Sequence, residues 1–232
     1  MHGKTISNAG NLQILYQDNH IIAINKRPGD IVQGDKTGDT PLSEVVKEYL
    51  KLAYHKPGNV YLGVTHRLDR PTSGIVVFAK TSKALPRLNK IFAEKEAKKT
   101  YWAIVKNLPE NESGTLIHWL KRNTKQNKSY AHPNEVPDSK KAILEYKILK
   151  NLNRYYLMEI DLKTGRHHQI RAQLAAIGCP IKGDLKYGFG RSNPDGSIHL
   201  HARSLSFIHP VKKERVELIA PVPEETVWMA CT

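Results

Sequence analysis

An imidazole, two guanidinium groups and a carboxylate fall within five residues at His66, Arg67, Asp69 and Arg70, and Pro71 and Gly74 then bend the chain. A carboxylate in such company can attack carbon as a nucleophile, stabilise a developing positive charge, or remove a proton. Apolar stretches at 60–65 and 75–79 flank the segment and read as strands. The polar residues therefore occupy a loop between two buried strands, where a rigid scaffold displays reactive groups. The plainer alternative is that Asp69 caps a turn or pairs with Arg67 or Arg70, which is the commoner fate of an isolated aspartate.

A second cluster runs from Thr164 through Gly165, Arg166, His167, His168, Gln169 and Ile170 to Arg171. The spacing predicts a helix over 167–177, with Ile170, Leu174 and Ile177 on one face and Gly178 at its end. On that helix Arg171 lies four positions from His167 and three from His168 and can share a face with either, while the two histidines point apart. Zinc ligation by the pair is thus disfavoured. His199 and His201 could share one face of a strand, but no acidic or thiol ligand adjoins them in sequence, so no metal is expected. Cys179 and Cys231 have no CxxC spacing, and neither a disulfide framework nor a cysteine zinc site is expected.

The elements that must position these groups follow from the hydrophobic pattern. Residues 12–26 read as a hairpin turning at Asp18 and Asn19. Thr40 is the expected N-cap of a helix with Pro41 in its first position, and Leu42, Val45, Val46, Tyr49, Leu50 and Ala53 recur at helical spacing. Ser82 opens a second amphipathic helix whose stripe is Leu85, Leu88, Ile91 and Phe92. Strands are expected at 100–105, 115–121, 142–149 and 155–162, with a terminal hairpin at 199–208 and 215–218. The polar stretch 123–137 reads as a loop, either contacting a polyanion through Lys125, Lys128, Tyr130 and His132 or simply disordered. Strands that do not alternate with helices predict an α+β fold with a mostly antiparallel or mixed sheet. No repeat or linker divides the chain, so a single domain over 1–232 is expected, with a flexible segment at 1–10.

Composition limits the partners. The 232 residues carry 36 Lys+Arg against 22 Asp+Glu, a formal net charge of +14, and 40% of them are hydrophobic. Such a surface favours polyanions. No segment approaches the roughly 18 apolar residues of a membrane span, so nucleic acid is favoured over membrane. The polar start lacks a secretory signal's apolar stretch, which predicts a cytoplasmic location.

Taken together, the two clusters resemble the RluA-like pseudouridine synthase family, whose His-Arg-Leu-Asp-x-x-Thr-Ser-Gly and Gly-Arg-x-His-Gln-Ile-Arg motifs are matched completely. The likeness extends to Asn25-Lys26, to Lys99-Thr100-Tyr101, to Gly183-Asp184-x-x-Tyr187-Gly188 and to Leu200-His201-Ala202. It implies a pseudouridine-synthase-like sheet, mixed and mostly antiparallel, with flanking helices around a central basic cleft. It also implies an isomerase that converts uridine to pseudouridine in rRNA or tRNA.

In this resemblance Asp69 is the catalytic carboxylate, Tyr101 stacks on the extruded uracil, and Arg171 pairs with Asp69 and keeps it ionised. Arg67 fills the gap left by the flipped nucleotide. His66, Arg166 and Gln169, from the same two motifs, are assigned with Arg67 to substrate binding, while Gly183-Asp184 and Tyr187-Gly188 are expected to shape a supporting turn. No cofactor or metal, a monomer, and a catalytic domain without the S4-type domain of longer relatives complete the expectation. The competing reading is a catalytically silent RNA-binding or ribosome-assembly protein of the same fold. A glycosidase-like hydrolase would need a second carboxylate, which the motif segments lack.

Overall fold

The computed structural model describes residues 5–35 and 37–231, in an α+β arrangement that divides into two compact units. The first comprises residues up to 98 together with 202–223, and the second comprises 99–201 together with the residues from 224 onward.

The first unit carries β1 (Ile14–Gln17), β2 (Ile21–Lys26), α1 (Leu42–Ala53), β3 (Gly63–Val64), β4 (Ser73–Ala79) and α2 (Ala84–Ala93). It also holds most of β10 (Leu200–Ile208) and all of β11 (Arg215–Ile219). Its sheet runs in the order β1-β2-β4-β10, with β11 on β10 and β3 on β4. The β1–β2, β2–β4, β3–β4 and β10–β11 pairs are antiparallel.

The uninterrupted apolar run of β2 has a simple cause, since successive side chains of a strand face opposite ways and both faces here are covered. Ile21 and Ala23 join Ile75, Val77, Leu88 and Ile91 beneath α2. Ile22 and Ile24 join Val76, Phe78, Leu42, Val46 and Leu50 beneath α1. Gly74, at φ +112, opens β4 where the Ala202 backbone lies so near that a Cβ would fall 2.4 Å from its carbonyl oxygen. Glycine is required there on both counts.

The second unit carries β5 (Lys98–Val105), β6 (Ser113–Asn123), β7 (Lys128–His132), β8 (Lys140–Asn151), β9 (Tyr156–Leu162), α3 (Gln169–Ala176) and α4 (Thr226–Met229). Its strands run β5-β9-β8-β6-β7, each neighbouring pair antiparallel. Ala103 and Val105 of β5, Met158 and Ile160 of β9, and Leu144 and Tyr146 of β8 pack with Ile170 and Leu174 of α3.

Several expectations need correction. The α1 cap is Pro41, in extended conformation and without a side-chain cap bond, so Thr40 lies outside the helix. At α2 the hydroxyl that meets the first turn belongs to Thr81, whose Oγ1 accepts from the Ala84 N–H at 3.2 Å, rather than to Ser82. The 123–137 stretch is a loop only in part, because its residues 128–132 form β7, which pairs with β6 across a tight turn and buries Ser129. Its polar residues disguised a strand whose stabilising contacts come from distant groups. Residues 1–4 of the expected flexible segment lie outside the described residues. Ser7, by contrast, is buried, its backbone N–H and hydroxyl donating to Asp30 at 3.1 and 2.6 Å. Both cysteines are free and buried, and burial pushes the Cys231 thiol up to about 11.

Candidate active site

The Asp69 loop belongs to the first unit. It begins after β3 and ends at β4, and a turn is closed by the Thr72 N–H donating to the Asp69 carbonyl at 3.0 Å. Three contacts hold it. The Thr65 hydroxyl donates to the Val77 carbonyl at 2.6 Å, and His66 Nε2 accepts the Val77 N–H at 3.0 Å. The third is Lys26, at the end of β2, whose side chain is 1% exposed. Its ammonium donates to the carbonyls of Arg27, Arg70 and Thr72 at 2.9, 3.1 and 2.7 Å.

A buried ammonium is tolerated only where acceptors replace its water. All three acceptors are backbone carbonyls and two of them, of Arg70 and Thr72, lie within three residues after Asp69, so the desolvated charge fixes the path of the loop. The Gly29 N–H adds a further bond to the Arg70 carbonyl at 2.7 Å.

Around this frame the polar residues divide their tasks. Arg70 turns to Asp39 and Thr37. Arg67 is exposed and Asp69 half-buried. His66 uses Nε2 to accept a strand N–H and lays its ring against Phe92 at 4.7 Å. That acceptor role leaves Nε2 unprotonated.

In the second unit Tyr101 lies on β5 opposite Ile160, on the same strand face as Ala103 and Val105, and packs on the cluster that α3 covers. Beside it in sequence, Lys99 is partly buried and burial lowers its pKa. Arg171 projects from α3. Its Nε and Nη2 donate to the two oxygens of Asp184 at 2.7 and 2.9 Å, a bidentate pair in which the side chains are 6% and 1% exposed. The guanidinium carbon also stands 5.0 Å from the centre of the Tyr187 ring.

The Tyr187 hydroxyl accepts the Ser129 N–H at 2.8 Å and shares a hydrogen bond with His168 Nδ1 at 3.0 Å. The β6–β7 hairpin is thereby tied to the start of the helix that carries Arg171. Ser129 Oγ and Asn127 Oδ1 engage the two ring nitrogens of His167 at 2.9 and 3.2 Å.

Two expectations about this helix change. It begins at Gln169, because His168 takes the left-handed conformation with φ 52, a conformation that costs a non-glycine residue about 1–2 kcal/mol. Helical spacing therefore does not govern the histidines, and their rings stack at 3.8 Å rather than point apart. Gln169 is buried. Its Oε1 accepts from the Thr164 hydroxyl and the Arg166 N–H, and its Nε2 donates to the Ile143 carbonyl. It braces the turn entering the helix. Arg166 is exposed, with Nε donating to the Lys141 carbonyl at 3.1 Å.

Asp184 and Tyr187, expected to shape a supporting turn, hold the Arg171 guanidinium, and Lys26, to which sequence reasoning assigned no role, holds the carbonyls after Asp69. A lysine directly continuing the buried run of β2, and an aspartate and a tyrosine three residues apart in a glycine-bounded motif, were the signals available. Among the described residues, no three His, Cys, Asp or Glu side chains group as a metal ion would require.

Comparison with known proteins identifies the class as RNA-modifying isomerases. Residues 20–176 match the family described as RNA pseudouridylate synthase. An uncharacterized RNA pseudouridine synthase of Chlorobaculum parvum is 34% identical over 92% of this chain and 72% of its own length. Ribosomal large subunit pseudouridine synthase D of Haemophilus influenzae is 33% identical over 93% of this chain and 69% of its own. For tRNA pseudouridine synthase C of Vibrio parahaemolyticus the identity is 32%, covering 94% and 92%. The solved human RNA pseudouridylate synthase domain containing 4 superposes with a TM-score of 0.76 over 94% of this chain and 90% of that one; at 24% identity it supports the fold. The chain belongs to the RNA pseudouridine synthases, in their RluA-like branch. Its activity is the isomerisation of uridine to pseudouridine in RNA.

Proposed function

We propose that Asp69 is the carboxylate on which this isomerisation depends, that Tyr101 stacks on the extruded uracil, and that Arg171 is the cation that keeps Asp69 ionised and aimed. The reaction breaks the glycosidic N1–C1′ bond, turns the uracil, forms the C5–C1′ bond, and moves the C5 proton to N1. No electron or atom enters or leaves, so the chain's own side chains suffice. The observation that carries the reading is the complete aspartate motif on a loop whose carbonyls are clamped by the buried Lys26 ammonium. A catalytic group needs such fixed placement, since small displacements are costly in rate.

Extrusion of a paired or stacked base costs a few kcal/mol, and stacking on an aromatic ring returns about 1–3 kcal/mol. That balance favours tyrosine at 101. Arg67, exposed beside Asp69, fills the space vacated by the nucleotide, and Arg166, also exposed, meets phosphate. The formal charge of +14 supplies further phosphate contacts and makes binding weaken with salt.

The substrate is structured rRNA or tRNA, the two classes named among the relatives. The two units serve as one catalytic domain, working as a monomer in the cytoplasm. No helix among the described residues is long and apolar enough to cross a membrane. Chemical mapping of pseudouridines in cells with and without the protein tests the substrate assignment. A modification lost from rRNA or tRNA supports it, and loss confined to other RNA, or no loss at all, contradicts it.

A further inference from the structure

The second unit contains a cavity of about 670 Å³, apart from the residues assigned above and lined in part by Lys106, Tyr155, Lys182, Phe189, Arg191 and Asn193. Its volume is within the range of about 300–1,000 Å³ typical of small-molecule sites. Three of its lining residues are cations and none is a carboxylate. Two offer aromatic rings.

The floor is built rather than incidental. Asn193 is 8% exposed, and its Nδ2 donates to the carbonyl and hydroxyl of Ser197 and meets His199 Nδ1, at 2.9, 3.2 and 3.0 Å. Its Oδ1 accepts from Lys182 Nζ at 2.9 Å, which holds the ammonium 5.8 Å from the Tyr155 ring centre. Gly183, at φ +86, makes this possible, because a Cβ there would lie 2.6 Å from Asn193 Nδ2.

Burial lowers the Lys182 pKa, while Glu225 and Asp195 act to raise it. Both carboxylates are engaged elsewhere, Glu225 with His199 and the α4 N–H groups, Asp195 with Ser197. One Lys182 proton serves Asn193, and two remain for oxygen acceptors.

We propose that this cavity is a second RNA site, seating one unpaired nucleotide of the substrate other than the target uridine, its base on Tyr155 and Phe189 and its phosphate on Lys182, Lys106 and Arg191. The inference rests on the chain's being an RNA pseudouridine synthase. Aromatic rings accept any base face, and cations around them hold the backbone, the combination by which single strands are bound. A duplex keeps its bases stacked and offers the cavity phosphate alone. The site would therefore favour RNA that carries an unpaired nucleotide.

The test compares the full chain with Tyr155→Ala, Tyr155→Phe, Lys182→Met and Arg191→Ala, using fluorescence anisotropy with a short single-stranded RNA of mixed sequence and a duplex of equal length. Tyr155→Ala and Lys182→Met should weaken single-strand binding by about tenfold or more and duplex binding by less than about threefold, while Tyr155→Phe, which keeps the ring, binds as the parent does. Arg191 is exposed, so Arg191→Ala keeps the parent's melting temperature and still loses single-strand affinity. Single-strand affinity unchanged in Tyr155→Ala and Arg191→Ala overturns the proposal. Equal losses on single strand and duplex also overturn it, since they mark a phosphate patch without a seated base. Pseudouridine formation by the parent on RNA from cells lacking the protein is measured separately. Its absence would count against the enzyme reading and leave the binding result standing.

Discussion

The two units solve the same problem, a buried cation within a family motif, in opposite ways. In the first, the Lys26 ammonium is met by three backbone carbonyls, and the contact gives shape to the loop after Asp69. In the second, the Arg171 guanidinium is met by a formal charge, the Asp184 carboxylate, and by the face of Tyr187. A carbonyl cannot be mutated away, so the first arrangement is vulnerable only through the lysine. Either partner can break the second. The lysine acts as a positioning residue for a loop, whereas the aspartate compensates a charge on a helix whose entry is already strained at His168.

The comparison can be broken most forcefully at Asp184. Asp184→Ala leaves Arg171 buried without this partner and should cost about 3–5 kcal/mol in urea unfolding, with loss of activity. Asp184→Asn keeps an acceptor and should cost less; equal costs for the two variants would show that charge compensation is not what Asp184 provides. Lys26→Met comes next. It strips a donor from three carbonyls, one of them buried, for about 1–3 kcal/mol, and should lower kcat more than it raises KM because the loop is freed while the RNA surface is intact. A rise in KM alone would mean that Lys26 acts on RNA binding and not on the placement of Asp69.

Much of this was legible beforehand, and the reasons are physical. The doubly buried strands β2 and β4 declare themselves as continuous apolar runs, and Asp69, Tyr101 and Arg171 stand in motifs whose spacing is unbroken. What stayed hidden depends on contacts made far along the chain. Ser129 is polar, and β7 looked like a loop, because its stabilisation comes from the Tyr187 hydroxyl fifty-eight residues away. The stacking of His167 on His168 was mispredicted because one left-handed residue removes the helical geometry on which the spacing argument stood. Nor did the motifs show that Gln169 and His66 also accept backbone N–H groups of their own fold, those of Arg166 and Val77. Side-chain chemistry was readable; whether a side chain faces outward or props its own fold was not.

The account turns on Asp69, and Asp69→Asn tests it most directly, since the substitution keeps size and hydrogen-bonding capacity while removing the charge. Pseudouridine formation on RNA from cells lacking the protein should fall by at least about a thousandfold, equivalent to about 4 kcal/mol of transition-state stabilisation, with RNA affinity kept within a few-fold of the parent. Turnover near the parent's rate in that variant would contradict the assignment.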